Sequence, residues 1–396
     1  MEAKNGAYIV SSVRTAVGRA NKGALKNMRP ESLGAIAVRG ALDRVPGLPD
    51  DRIDDVLVGC AMPEGPQGMN MGRIVAQGAH LPDSVPGATI NRFCSSGLQT
   101  IVMASQSVAV GYADVIVAGG AESMSMVPMT GYYFSPDAAI VDADPDVYVS
   151  MGNTAENVAE KYGISREDQD RFAQRSHERA LAAIAEGRFA DEIVAFDVED
   201  VSFNGTEVVR NSRTFDTDEG PRAESSYQAL SGLRAVFRNK GSVTAGNSSQ
   251  MSDGAAAAVI MSDRAMKEFG VDPLGRIVGF SVAGVAPELM GIGPVEAIPK
   301  VLRQTGMSLK DIGLFELNEA FAAQSLAVMR ELGLNEDIVN VNGGAIALGH
   351  PLGCTGAKLT ATLLHEMRRR GVRFGICTMC IGGGMGAAAV IENLAV

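Results

Sequence analysis

Two separated stretches of this chain follow the same plan. Gly87–Thr100 (GATINRFCSSGLQT) runs through a helical pattern to the apolar run Asp114–Met124 (DVIVAGGAESM), and Asn342–Leu359 (NGGAIALGHPLGCTGAKL) runs through another to Phe374–Met385 (FGICTMCIGGGM). Each goes from a glycine-rich loop to a helix start built of small residues, then helix, apolar strand and a Gly-Gly turn. A chain that repeats such a unit is constrained to two similar α/β halves packed together, with the special loop of each half brought to one site.

The rest of the sequence fits that constraint. Short apolar runs read as buried strands at Ala7–Val13, Val56–Met62, Val115–Ala121, Ala256–Met261, Arg276–Val285, Leu314–Leu317, Ile338–Val341, Phe374–Cys380 and Ala387–Ile391. Between them lie helical patterns at Glu31–Val45, Ser95–Val110, Pro294–Gln304, Ala320–Leu332 and Gly356–Arg370. Alternation of this kind predicts α/β sheets covered on both faces. The polar middle differs, with a long helix opened by Ser165 as N-cap and a charged, glycine-punctuated stretch at Asp197–Arg222. The expected division is therefore a first half at 1–122, an inserted lobe at 123–250, a return to the first half at 251–272 and a second half at 273–396.

Charge narrows the functional classes. The 396 residues carry 35 basic and 46 acidic side chains, a net −11, which argues against a nucleic-acid or membrane-surface binder because those meet phosphate with broad basic faces. The uncharged run Phe374–Ile391 is broken by Gly375, Gly382, Gly383, Gly384 and Gly386 and reads as two strands and a turn, not a membrane span. Met1–Ala16 lacks the apolar core of a signal peptide. Five cysteines, an odd number, suit a reducing compartment. A cytoplasmic protein with free thiols is expected.

Two of those features point to chemistry. Cys94 in NRFCSSG stands where an extended run turns into a helix, a setting expected to lower a thiol pKa through free N–H groups and the helix dipole; the bland alternative is a small core cysteine. His350 in GHPLG sits in a loop made rigid by proline and glycine, as an oriented base requires, or as a turn histidine that bonds the backbone. His177 and His365 fall in charged helices and are expected at the surface, while His80 ends a helix. Cys377 and Cys380 match a redox C-x-x-C pattern, but three residues apart on a strand they face opposite ways, so a disulfide is not expected. Cys380 then precedes Gly382, whose bare backbone can approach an oxyanion, and Cys377 reads as core. No metal-ligand spacing, dinucleotide fingerprint or P-loop stands in the right context.

Taken together, NRFCSSGLQ, AGGAESMS, GNTAENVA, TAGNSSQMSDGAAA, LNEAFAAQ, GGAIALGHPLGCTGA and MCIGGGMGAA resemble the thiolase family over essentially the whole chain. The resemblance implies five layers, α-β-α-β-α, with a loop domain over the site and no metal or redox cofactor. It implies Cys94 as the acylated nucleophile, His350 as its base and Cys380 as acid/base at the substrate α-carbon. Asn318 would hold a water that, with His350, stabilises the enolate oxyanion, and the N–H groups of Cys94 and Gly382 would form a second oxyanion hole. Coenzyme A would be co-substrate, met by Ser249 and Arg222, and Met151, Met290 and Phe321 would line the acyl pocket. Ser150 precedes Met151 where thiolases preferring acetoacetyl-CoA commonly carry a histidine, and the stretch Met129–Val149 is short. Both resemble degradative 3-ketoacyl-CoA thiolases of fatty-acid β-oxidation; the alternative is an acetoacetyl-CoA thiolase joining two acetyl-CoA. The implied partners are acyl-CoA, CoA, further copies of the chain as a dimer or tetramer, and a β-oxidation partner enzyme. Two rivals remain: a ketoacyl synthase, against which Cys380 counts, and a non-catalytic acyl-CoA binder.

Overall fold

The computed structural model describes residues 5–395; Met1–Lys4 and Val396, the outermost parts of the two terminal domain ranges, lie outside them. The β-branched and alanine-rich runs pair into one hydrogen-bonded network that is nearly two sheets, because Ala7–Thr15 and Gly275–Gly284 meet only through the pair Ile9 and Gly275. In the first half the order is Gly87–Ile90, Asp55–Gly59, Val115–Ser123, Ser252–Ser262, Ala7–Thr15, with two parallel contacts followed by two antiparallel ones. The second half runs Leu314–Leu317, Phe374–Ile381, Met385–Asn393, Gly275–Gly284, with one parallel and two antiparallel contacts. The two orders superimpose strand for strand, apart from the outer edge.

That edge is where a strand was expected at Ile338–Val341. Only a single bridge, Phe315 to Val339, forms there. Asn340 takes a left-handed turn (φ +48°), and its side-chain amide accepts from Leu317 N–H and donates to Leu317 C=O, both at 2.8 Å. One amide side chain thus does the pairing a strand backbone would have done.

Five layers result. The helices Pro30–Leu42 and Met71–Gly78 cover the outer face of the first sheet, and Gly293–Thr305 and Ala322–Leu332 cover the outer face of the second. Between the sheets lie Ser96–Val110 and Leu352–Arg370, whose apolar faces are buried from both sides; Leu98, Ile101, Leu363 and Met379 are wholly inaccessible there, each burial being worth about 1.5–3 kcal/mol. The first turns of these helices cross so closely that a Cβ on Gly97 would lie 2.8 Å from Ala357 N, and one on Gly356 would overlap the backbone of Leu98. Only glycine permits that approach.

Gly119-Gly120 does not form the expected turn but lies inside the strand Val115–Ser123, pressed against its neighbours. The chain leaves the sheet after Ser123 and re-enters at Ser252 in the adjoining antiparallel strand. At the corresponding point of the second half stands only the tight Gly382–Gly384 hairpin. The excursion carries the helices Met151–Lys161 and Arg166–Ala185, the latter capped by Ser165 Oγ accepting from Asp168 N–H at 3.0 Å. The charged stretch that follows is a hairpin, Phe196–Phe203 with Val208–Phe215, turning through residues 204–207. Among the described residues no helix is long and apolar enough to cross a membrane.

Candidate active site

The two loops that precede the central helices meet because the helices cross. Phe93–Ser95 is a single tight turn in which Phe93 is held at φ +42°, a conformation that bulky residues avoid. Asn91 Oδ1 accepts from Phe93 N–H at 2.8 Å, and Ser96 Oγ accepts from Arg92 N–H at 2.9 Å while donating to Phe93 C=O at 2.7 Å. These clamps turn the side chain of Cys94 inward, where it packs against Ala61, Met124 and Leu352 and is 2% exposed.

His350 Nε2 lies 3.3 Å from Cys94 Sγ and 3.3 Å from Asn318 Nδ2, and Nδ1 lies 2.6 Å from Thr355 Oγ1. In the tautomer in which Nδ1–H donates to Thr355, Nε2 is the acceptor, and its single lone pair is shared between the thiol and the amide. Burial holds the imidazole at a pKa of about 3, with Lys358 adding a smaller push in the same direction. The thiol departs from expectation. Burial raises Cys94 to about 12, against the lowering effect of hydrogen bonds from the Gly382 and Cys94 backbone N–H groups, so desolvation outweighs the helix start. The resting pair is a neutral thiol beside a neutral imidazole.

Asn318 follows the strand Leu314–Leu317, tied by its N–H to Thr378 C=O at 3.0 Å, and its buried Oδ1 accepts no hydrogen bond from the protein. Cys380 is the penultimate residue of the strand Phe374–Ile381 and is fully buried among Met151, Ala155, Val243, Met290, Ala320 and Phe321. Burial and the neighbouring Cys94 push its thiol pKa up. Cys377 faces the other way, into the layer between the sheets, and all five cysteines are free.

The structure therefore gathers Cys94, His350, Asn318, Cys380 and Gly382 into one cluster, with Met151, Met290 and Phe321 around Cys380. Ser249 and Arg222 stand further out along a connected path. Ser249 N–H donates to Ala320 C=O, the adjacent Gln250 C=O accepts from His350 N–H, and the exposed Arg222 guanidinium reaches Gln250 Oε1 at 3.5 Å. Ser150 is exposed at the N-cap of Met151–Lys161, outside the buried cluster around Cys380. His177 is 5% exposed and not at the surface: its Nδ1 accepts from Arg222 N–H at 3.2 Å, and burial lowers its pKa to about 4. His365 is half-buried against Ser12 C=O. Thr355 and Gln250, which the sequence did not single out, fix the His350 ring and backbone; a hydroxyl in the turn that follows a histidine loop was the available signal for the first.

Two like α/β halves that share one cysteine–histidine site, with backbone N–H groups on the sulfur, define a class of acyl-transferring proteins. Residues 7–264 match the family model "Thiolase, N-terminal domain", and residues 271–393 match "Thiolase, C-terminal domain". The chain belongs to the thiolase family and is an acyltransferase. It is 54% identical to a "3-ketoacyl-CoA thiolase" of Bacillus subtilis (strain 168), over 98% of this chain and 99% of that protein. Among solved structures it is similar to the Bacillus anthracis acetyl-CoA acetyltransferase (TM-score 0.88, 43% identity, 100% of both chains). It is also similar to the human mitochondrial 3-ketoacyl-CoA thiolase (TM-score 0.88, 40% identity, 99% of both chains).

Proposed function

We propose that this chain cleaves 3-ketoacyl-CoA with CoA, giving acetyl-CoA and an acyl-CoA two carbons shorter. The observation that carries the mechanism is the 3.3 Å contact between a neutral Cys94 thiol and a neutral His350; the relative named for this activity supports the substrate class. With no charge on either group, proton transfer is strongly uphill until a substrate carbonyl arrives to receive the sulfur's electrons. Cys94 then attacks the 3-keto carbon as His350 Nε2 takes the thiol proton, and the N–H groups of Cys94 and Gly382 move from sulfur to the new oxyanion. The C2–C3 bond breaks, its electron pair passing into the acetyl-CoA enolate, which is stabilised from the His350 and Asn318 side. Cys380 delivers the proton to C2. In the second half-reaction Cys380, now a thiolate, takes the CoA thiol proton as the CoA sulfur attacks the acyl-Cys94 thioester; the C–S bond to Cys94 breaks and His350 returns its proton to the departing sulfur, an exchange between bonds of similar energy.

Within this proposal residues 123–250 act as the loop domain over the site, Met151, Met290 and Phe321 hold the acyl chain, and Ser249 and Arg222 meet CoA as co-substrate. The protein works in the cytoplasm as a homo-oligomer. Brief mixing with a 3-ketoacyl-CoA without free CoA, followed by peptide mass spectrometry, should find the shortened acyl group on Cys94; acylation of another cysteine overturns the assignment. A second reading, acetyl transfer to form or cleave acetoacetyl-CoA, is favoured by the name of the Bacillus anthracis neighbour. A series of chain lengths separates the two. Each buried methylene is worth about 0.8 kcal/mol, up to roughly fourfold in kcat/KM, so a steady rise from acetoacetyl-CoA upward supports the first reading and a steady fall the second.

A further inference from the structure

Glu122, at the end of the strand Val115–Ser123, is 1% exposed, and among the described residues it forms no ion pair. Its carboxylate is instead filled by N–H donors. Oε2 accepts from Ala61 N–H at 2.7 Å and from Gly353 N–H at 2.8 Å; Oε1 accepts from Gln67 Nε2 at 2.7 Å and from Met62 N–H at 3.2 Å, with Cys60 Sγ at 3.9 Å. Those donors come from both halves of the molecule. Ala61, Met62 and Gln67 belong to the first half, whereas Gly353 is the second residue of the helix Leu352–Arg370. That helix has no side-chain cap of its own, Pro351 standing at its N-cap, so Glu122 caps it from across the interface. His350 precedes the helix and Thr355 lies in its first turn, while Ala61 and Leu352, on either side of the clamp, both pack on Cys94.

We propose that Glu122 is a positioning residue: by tying the start of the helix that carries the base to the first-half loop against which the thiol packs, its carboxylate sets the separation of Cys94 and His350. The role requires acceptors on both oxygens. An amide would turn an NH2 toward two of the four N–H groups. The inference rests on Cys94 as the acylated thiol and His350 as its base.

The test is the rate of Cys94 alkylation by iodoacetamide between pH 5.5 and 9, with the modified residue identified by peptide mass spectrometry, in the unaltered protein, His350→Asn and Glu122→Gln. The groups facing the pair are Thr355 and Asn318, which do not titrate here, the Cys380 thiol, held protonated by burial and by Cys94, Lys358 acting on the imidazole, and Glu122 acting on the thiol, its own carboxyl pKa raised by burial. The unaltered pair should give a nearly flat profile, and His350→Asn one that rises about tenfold per pH unit, as for a thiol without a base. Glu122→Gln should follow the rising profile, be at least tenfold slower at pH 6, and lose at least tenfold in kcat with KM for CoA within twofold. An unchanged profile and kcat overturn the proposal. So does faster alkylation, which would mean that Glu122 acts only by its charge. If His350→Asn also matches the unaltered protein, the pairing of base and thiol fails, a distinct result. Should Glu122→Gln not fold, Gln67→Met, which removes one donor from the same carboxylate, must move the profile in the same direction by a smaller amount; no movement overturns the proposal.

Discussion

At the sulfur of Cys94 and the ring of His350 one cause, exclusion of water, acts in opposite directions on pKa, raising the acid and lowering the base. An imidazole held near 3 stays neutral through ordinary pH, so kcat/KM should show no break near 6.5 and stay level to about pH 5; an acid limb centred on 6.5 would mean that His350 is solvated. Stability should respond to pH through His177. Its folded pKa of about 4 lies below the unfolded value of 6.5, so the folded state binds fewer protons in that interval. Stability is full above pH 6.5 and declines as pH falls toward 4. His177→Asn, which keeps an acceptor for Arg222 N–H, should flatten the fall in Tm between those values; an equal slope refutes it. Cys380→Ser should still be acylated by a simple acyl-CoA yet lose exchange of the acetyl-CoA α-protons, and normal exchange would remove Cys380 from that role. The turn-to-helix setting of Cys94 was legible in NRFCSSG because small residues and a helix start leave a local mark. Its protonation was not, because desolvation depends on Ala61, Met124 and Leu352 arriving from elsewhere in the chain.

Elements were readable where a pattern is local and obscure where a side chain replaces backbone. Leu314–Leu317 is a strand with the expected bounds, whereas Ile338–Val341 is not, since Asn340 satisfies Leu317 by itself. The hairpin Phe196–Phe203 with Val208–Phe215 was hidden by its charge, and its loop is the four residues 204–207 in place of the two-residue Asn-Gly turn that signals a hairpin most strongly. The Gly382–Gly384 hairpin is the element most exposed to test. Gly384 sits at φ +78°, where a Cβ would lie 2.8 Å from Pro287 Cα and overlap Val285 C=O. Gly384→Ala should therefore displace the turn that aims Gly382 N–H, lowering kcat about 100-fold for a Tm loss of no more than about 3 °C. Unaltered kcat in the folded variant would show that the turn does not aim the donor.

On the scale of the whole molecule, the strand Gly87–Ile90 closes one edge of the network, paired on one side only, and runs directly into Asn91 and the Cys94 turn. An unpaired edge invites a second copy, and it is the contact we propose for the homo-oligomer. Light scattering at micromolar concentration should give the mass of two chains or more. A monomer refutes this. The duplicated order of strands also gives the excursion between Ser123 and Ser252 a particular standing. Its two ends are neighbours in one antiparallel pair, about 4.8 Å apart, so that pair closes in the same way whatever lies between them, although Ile193–Val194 of the excursion adds a short strand beside Arg14 and Thr15. The lobe is in effect a cassette: between Met124, which packs on Cys94, and Gln250, whose C=O holds His350 N–H, it can lengthen, shorten or be exchanged for that of a relative while these ends and the crossing helices keep Cys94 and His350 in place, and natural selection can retune which acyl group is admitted without reopening the chemistry.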